Sequence, residues 1–163
     1  MGEGVLSQMG TGKGWRRVFG GAPPAEAEAS SDAGGDYAAV ALELLKRCED
    51  LHQEWLEQLD EQRRHERLAN AAAVYHWYLS SVRDRLQDLQ APPTLSVWHE
   101  GLVGAVEAAL RATQLLSSGY RFHNIRRICD GGVLLEEAQA QARAVREALA
   151  PLALPPPVEA ATS

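Results

Sequence analysis

Asp60-Glu-Gln-Arg-Arg-His-Glu-Arg67 is a run of eight residues without an apolar side chain, and it separates two apolar stripes. On its C-terminal side stand Leu68, Ala72, Tyr75, Leu79, Val82, Leu86 and Leu89, an unbroken alternation of four- and three-residue steps that keeps one helix face apolar. On its N-terminal side Ala41, Leu44, Cys48, Leu51, Trp55 and Leu59 recur at helical spacing as well. The two stripes are out of phase: at roughly 100° per residue their mean directions differ by about 150° on a straight helix. No Gly or Pro interrupts the chain from Asp36 to Gln90.

Two architectures satisfy this pattern, both all-α antiparallel bundles. If the chain reverses near 60–66, four helices of similar length form an up-and-down bundle. If it continues, a first helix over 37–90, roughly 80 Å long at 1.5 Å per residue, overhangs a three-helix bundle and leaves its first stripe in need of a partner. The lack of a breaker and the high helix propensity of Glu, Gln and Arg favour continuation. The natural partner is then the same stripe of a second chain, so self-association is expected through Leu44, Cys48, Leu51, Trp55 and Leu59.

Working outward, Pro92-Pro93 is the clearest break, and Thr94 is a good N-cap for a helix over 94–118 with Gly119 just beyond its end. A last helix over 121–150 carries Ile125, Ile128, Gly132, Leu135, Gln139, Ala142, Arg146 and Leu149 at three- and four-residue steps. The short turn between these helices makes them antiparallel neighbours. Gly132 is expected on their seam, opposite Ala105 or Val106, and Trp98 is expected in the core against the small residues 138–144. Residues 1–35 hold nine glycines and two prolines and read as a flexible tail, and Pro151 is expected to stop the last helix and open a Pro-rich stub over 151–163. The folded part is thus expected over 36–150.

Composition agrees with helices. Among 163 residues there are 26 Ala and 21 Leu but only two Ile and two Phe, a vocabulary poor in sheet formers. The formal charge of −6 argues against a nucleic-acid-binding domain, because such domains present a net basic surface. No apolar run approaches the roughly 20 residues needed to span a bilayer, and none resembles a secretory signal. Two cysteines, Cys48 and Cys129, point to free thiols in a reducing cytoplasm.

Catalytic and ligand motifs are sparse. A ferritin-like di-iron site needs two Glu-x-x-His motifs, and the chain has one, at Glu49 and His52. Cys48 and His52 share a face, so two paired chains could offer a Cys2His2 zinc set; the alternative is a small core residue beside an edge histidine. Gly10-Thr-Gly-Lys-Gly14 lacks the spacing of a phosphate-binding loop, and Leu6 stands where a myristoylation signal wants Ser or Thr. No nucleophile has a recognisable local context, and no cofactor is indicated.

Two aromatic clusters remain. Lys13, Trp15, Arg16, Arg17 and Phe19 make a short basic-aromatic segment suited to an anionic membrane surface or a partner groove. In Tyr75-His-Trp-Tyr78, Trp77 points away from the seam: in a four-helix arrangement a neighbouring helix is expected to cover it, and in the extended one it is a candidate contact residue. The reading is a non-enzymatic helical scaffold or interaction module that self-associates and binds an unidentified protein partner, with no nucleic acid. The first alternative is a peripheral adaptor on the inner face of the membrane; the second is a bundle binding a metal or small molecule.

Overall fold

The computed structural model describes residues 27–154, with side chains from residue 32 onward. Four helices follow one another: α1 (Ala27–Glu61), α2 (His65–Asp88), α3 (Ser96–Arg121) and α4 (Ile125–Ala153), with a single 3-10 turn over Pro93–Leu95 before α3. The protein is an all-α, up-and-down four-helix bundle, and no helix among the described residues is long and apolar enough to cross a membrane.

The reversal expected as the less favoured alternative is the one that occurs, so the long helix over 37–90 is corrected. α1 ends at Glu61, and Arg64 adopts an extended backbone (φ −96°, ψ 121°) before α2 begins. Residues 62–64 contain no breaker, and energetics explain the turn. Interrupting a helix forgoes a few backbone hydrogen bonds worth about 1 kcal/mol each, whereas burying a large apolar side chain gains about 1.5–3 kcal/mol. Reversal turns both stripes onto one interior. Ala41, Leu44, Cys48, Leu51 and Trp55 of α1 and Leu68, Ala72, Tyr75, Leu79, Val82 and Leu86 of α2 are all buried in a single core. Self-association through Leu44, Cys48, Leu51 and Trp55 is therefore corrected as well: these side chains are consumed within their own chain, and only Leu59 remains at the surface, 37% exposed.

Tertiary packing also overrides propensity at the N-terminal end. α1 starts at Ala27 rather than Asp36 and runs through Gly34 and Gly35, a pair that costs about 1 kcal/mol per residue in helix propensity. Tyr37 and Ala38, immediately after, are buried, and the Tyr37 hydroxyl lies 3.0 Å from His99 Nδ1 on α3. At the other terminus α4 continues through Pro151 to Ala153. Pro151 removes one backbone donor without ending the helix, and the loss falls in the last turn, where little helix remains to disrupt.

The α3–α4 hairpin is built on small residues. A Cβ added at Gly131 would lie 2.9 Å from Leu116 Cγ and 3.0 Å from the Ala112 carbonyl oxygen, whereas one at Gly132 meets nothing within 4 Å. The seam glycine is Gly131, one residue away from the expected Gly132, and it faces Ala112 and Leu116 rather than Ala105 or Val106. Gly119 is a second close approach, since its Cβ would meet Ile128 at 2.9 Å; it sits inside α3, which runs on to Arg121. Trp98 packs on the core while only partly buried.

By contrast, α1 and α2 leave two grooves between them. One, about 330 Å³, is lined by Glu54, Trp55, Ala71, Val74 and Tyr75; the other, about 430 Å³, by Glu43, Arg47, Asp50, Tyr78 and Arg85. Tyr78 borders both, and the Arg47 guanidinium sits 5.1 Å from the centre of its ring, within cation–π range. At the bundle centre Thr113 is completely buried. Its hydroxyl donates to the Ala109 carbonyl at 3.0 Å and lies 3.0 Å from His76 Nδ1, so this buried group is satisfied.

Candidate functional site

Up-and-down topology brings the α1–α2 turn and the α3–α4 turn to the same end of the bundle. The second turn is defined by its backbone. His123 has φ 53°, left-handed for a residue with a Cβ, and Asn124 N–H donates to the Gly119 carbonyl at 2.8 Å. This six-residue closure lets α3 end without glycine at the left-handed position, a conformation in which His is several-fold enriched among non-glycine residues. Asn124 then caps α4 by accepting from Arg127 N–H at 3.1 Å.

The turn presents His123 to His65, the first residue of α2. Their Nδ1 atoms are 2.9 Å apart and their ring centres 4.9 Å apart. Such a contact requires one nitrogen to donate and the other to accept, so two imidazolium rings cannot share it. Tyr120 meets His65 edge-on at 5.4 Å and Trp55 at 6.2 Å, joining the pair to the core. Burial, and secondarily the nearby Cys129, push the Tyr120 hydroxyl pKa up, so the phenol stays neutral.

Beside the pair opens a cleft of about 730 Å³, lined by Arg64, His65, Asn70, Tyr120, Arg121 and His123, with Glu66 as its acidic member. Arg63, Arg64, Arg67, Arg121, Arg126 and Arg127 are all exposed at this end. Arg126 pairs with Asp130 at 3.8 Å and Arg67 donates to Gln62 at 3.3 Å, while among the described residues Arg63, Arg64, Arg121 and Arg127 have no carboxylate within ion-pair reach. Between these cations project Phe122 and Ile125, 69% and 74% exposed. A chain with net charge −6 thus ends in an arginine-rich surface with two apolar residues at its tip. Asp60 and Glu61, also exposed, close α1 at the same end and temper that charge.

The residues singled out from sequence lie elsewhere. Cys48 is buried against Leu79, Leu102, Ala138 and Gln139, and burial, reinforced by Glu49, pushes its thiol up to about 12. A thiol so placed neither ionises readily nor faces a second chain, so the intermolecular zinc set with His52 is corrected. His52 keeps a buried Nδ1 without a hydrogen-bond partner, and its pKa is lowered by burial, with Glu136 opposing the shift and Arg143 adding to it. Leu44, Leu51 and Trp55 are core. Trp77 is 67% exposed and meets Tyr78 edge-on at 5.0 Å. Lys13, Trp15, Arg16, Arg17 and Phe19 lie outside the described residues.

Sequence reading missed the 121–127 segment because Ile125 fits the apolar spacing of α4 and was assigned to its buried face. The signal that marks it is local: Phe122 and Ile125, two of the four Phe and Ile residues in the chain, stand next to Arg121, Arg126 and Arg127. No family model, curated protein or solved structure matches this chain, so its own residues carry the functional reading.

Proposed function

We propose that this chain is a non-enzymatic interaction module that docks on an anionic membrane surface with the turn-bearing end of its bundle. The observation that carries this reading is the exposure of Phe122 and Ile125 among arginines of which Arg63, Arg64, Arg121 and Arg127 lack carboxylate partners among the described residues. Each arginine near an anionic surface contributes about 1 kcal/mol, and an apolar side chain moved out of water about 1.5–3 kcal/mol. Asp60, Glu61, Glu66 and Asp130 subtract from the electrostatic part, so the attachment is weak, reversible and sensitive to salt. An isoleucine and a phenylalanine on a convex turn favour a bilayer interface over a nucleic-acid groove, which would reward hydrogen-bonding side chains instead. The rest of the acidic chain is repelled by the same surface, which orients the bundle end-on.

Co-sedimentation with phosphatidylcholine vesicles, with and without 30% phosphatidylserine (about that fraction gives a strongly negative surface), tests the reading. Binding is expected only to the anionic vesicles, weakened by salt and lost in the Phe122→Ser/Ile125→Ser double variant. Absence of binding at low salt, or unchanged binding by the double variant, overturns it.

A further inference from the structure

We propose that the cleft between the two turns is a binding site for a phosphate monoester carried on a membrane-lipid headgroup; the assignment rests on the membrane-docking reading and gives it chemical selectivity. The cleft is lined by Arg64, just before α2, and by Arg121, the last residue of α3, two guanidinium groups whose donor forks match phosphate oxygens. Neither arginine has a competing carboxylate among the described residues. Asn70 adds an amide, and the backbone at the start of α2 has no side-chain cap, because Arg64 makes no capping hydrogen bond. Glu66 is the one opposing charge in the lining.

The histidine pair supplies a feature that a simple basic patch lacks. With the two Nδ1 atoms 2.9 Å apart and sharing one proton, adding a single further proton leaves that contact intact and gives each ring an Nε2–H donor. Such a pair carries one positive charge and two donors. A monoester is the anion best served, since it carries up to two charges on three terminal oxygens, whereas a diester offers one charge on two. The cleft lies at the end that also bears Phe122 and Ile125, so insertion of those side chains sets it at headgroup depth.

The experiment compares vesicles containing phosphatidylinositol 4-phosphate with phosphatidylserine vesicles of equal surface potential, using the full chain. Binding is expected to be at least about tenfold tighter to the monoester vesicles, a difference equivalent to about 1.4 kcal/mol. The Arg64→Gln/Arg121→Gln variant is expected to lose that preference, binding both vesicle types equally and more weakly than the parent chain, while keeping its helical circular dichroism. Equal binding to both vesicle types overturns the cleft assignment and leaves membrane docking intact; binding to neither overturns membrane docking itself. Displacement by an equimolar amount of inorganic phosphate assigns the site to the free anion, and equally tight binding to a duplex oligonucleotide assigns it to nucleic acid; either result overturns the lipid proposal.

Discussion

The α3–α4 hairpin and the α1–α2 hairpin use the same topology and pack differently. In the first, glycine and alanine bring backbones together: a Cβ at Gly101 would lie 3.2 Å from Val145, one at Gly104 3.2 Å from Gln141, and one at Gly131 3.0 Å from a backbone oxygen. In the second, Trp55, Tyr75 and Tyr78 hold the helices apart and leave the two grooves, about 330 and 430 Å³. Small side chains give close contact without slack; large aromatic ones bury more surface per residue but tile it less completely. The consequence is mechanical: α3 and α4 form the frame, and α1 is the element with room to move.

The largest test of this contrast adds the same side chain to each hairpin. Gly131→Leu is expected to destabilise the protein by about 3 kcal/mol, since the new atoms meet a carbonyl and Leu116, whereas Ala71→Leu, opening into a groove, is expected to stay within about 0.5 kcal/mol. Urea unfolding of the two variants reads the difference, and equal costs would erase the distinction. Next, thiol labelling at pH 8 follows α1 directly. Cys129 is exposed and is expected to react at once; Cys48, buried and with its pKa pushed up to about 12, is expected to react about a hundredfold more slowly or less, in proportion to how often α1 lifts from the frame. Comparable rates at the two sites would show that α1 is not held at all. The smallest effect concerns adjacent glycines. Gly132→Ala is expected to stabilise by about 0.5–1 kcal/mol through helix propensity, while Gly131→Ala is expected to destabilise by about 1 kcal/mol in spite of the same gain. Thermal melts that shift in the same direction for both would place the seam elsewhere.

Much of the bundle is legible in the chain because burial imposes a period. The α2 stripe from Leu68 to Leu86 is buried as its spacing requires, with Leu89 at the half-buried edge. The α1 stripe is equally legible, but its direction is not: residues 62–64 contain neither Gly nor Pro, and the turn exists because two out-of-phase stripes find one interior. Gly131 and Gly132 illustrate a limit of register, since adjacent helix positions differ by about 100° and two identical residues give no sign of which faces inward. The start of α1 was hidden for a related reason: Gly34 and Gly35 read as tail until Tyr37 and Ala38 are seen to be packed. The histidine pair was the least legible feature. His65 and His123 are 58 positions apart, and only the meeting of the two turns unites them.

The length of α1 limits how the chain can meet a membrane. Its 35 residues separate Ala27 from the end that carries Phe122 by about 50 Å at 1.5 Å per residue. The eight peptide links from Phe19 to Ala27 span at most about 28 Å, whatever conformation they adopt. A flat bilayer met end-on therefore cannot hold Phe19 and Phe122 together. If both segments engage membranes, the bundle would have to lie along one surface or bridge two, with the four helices setting the distance between them.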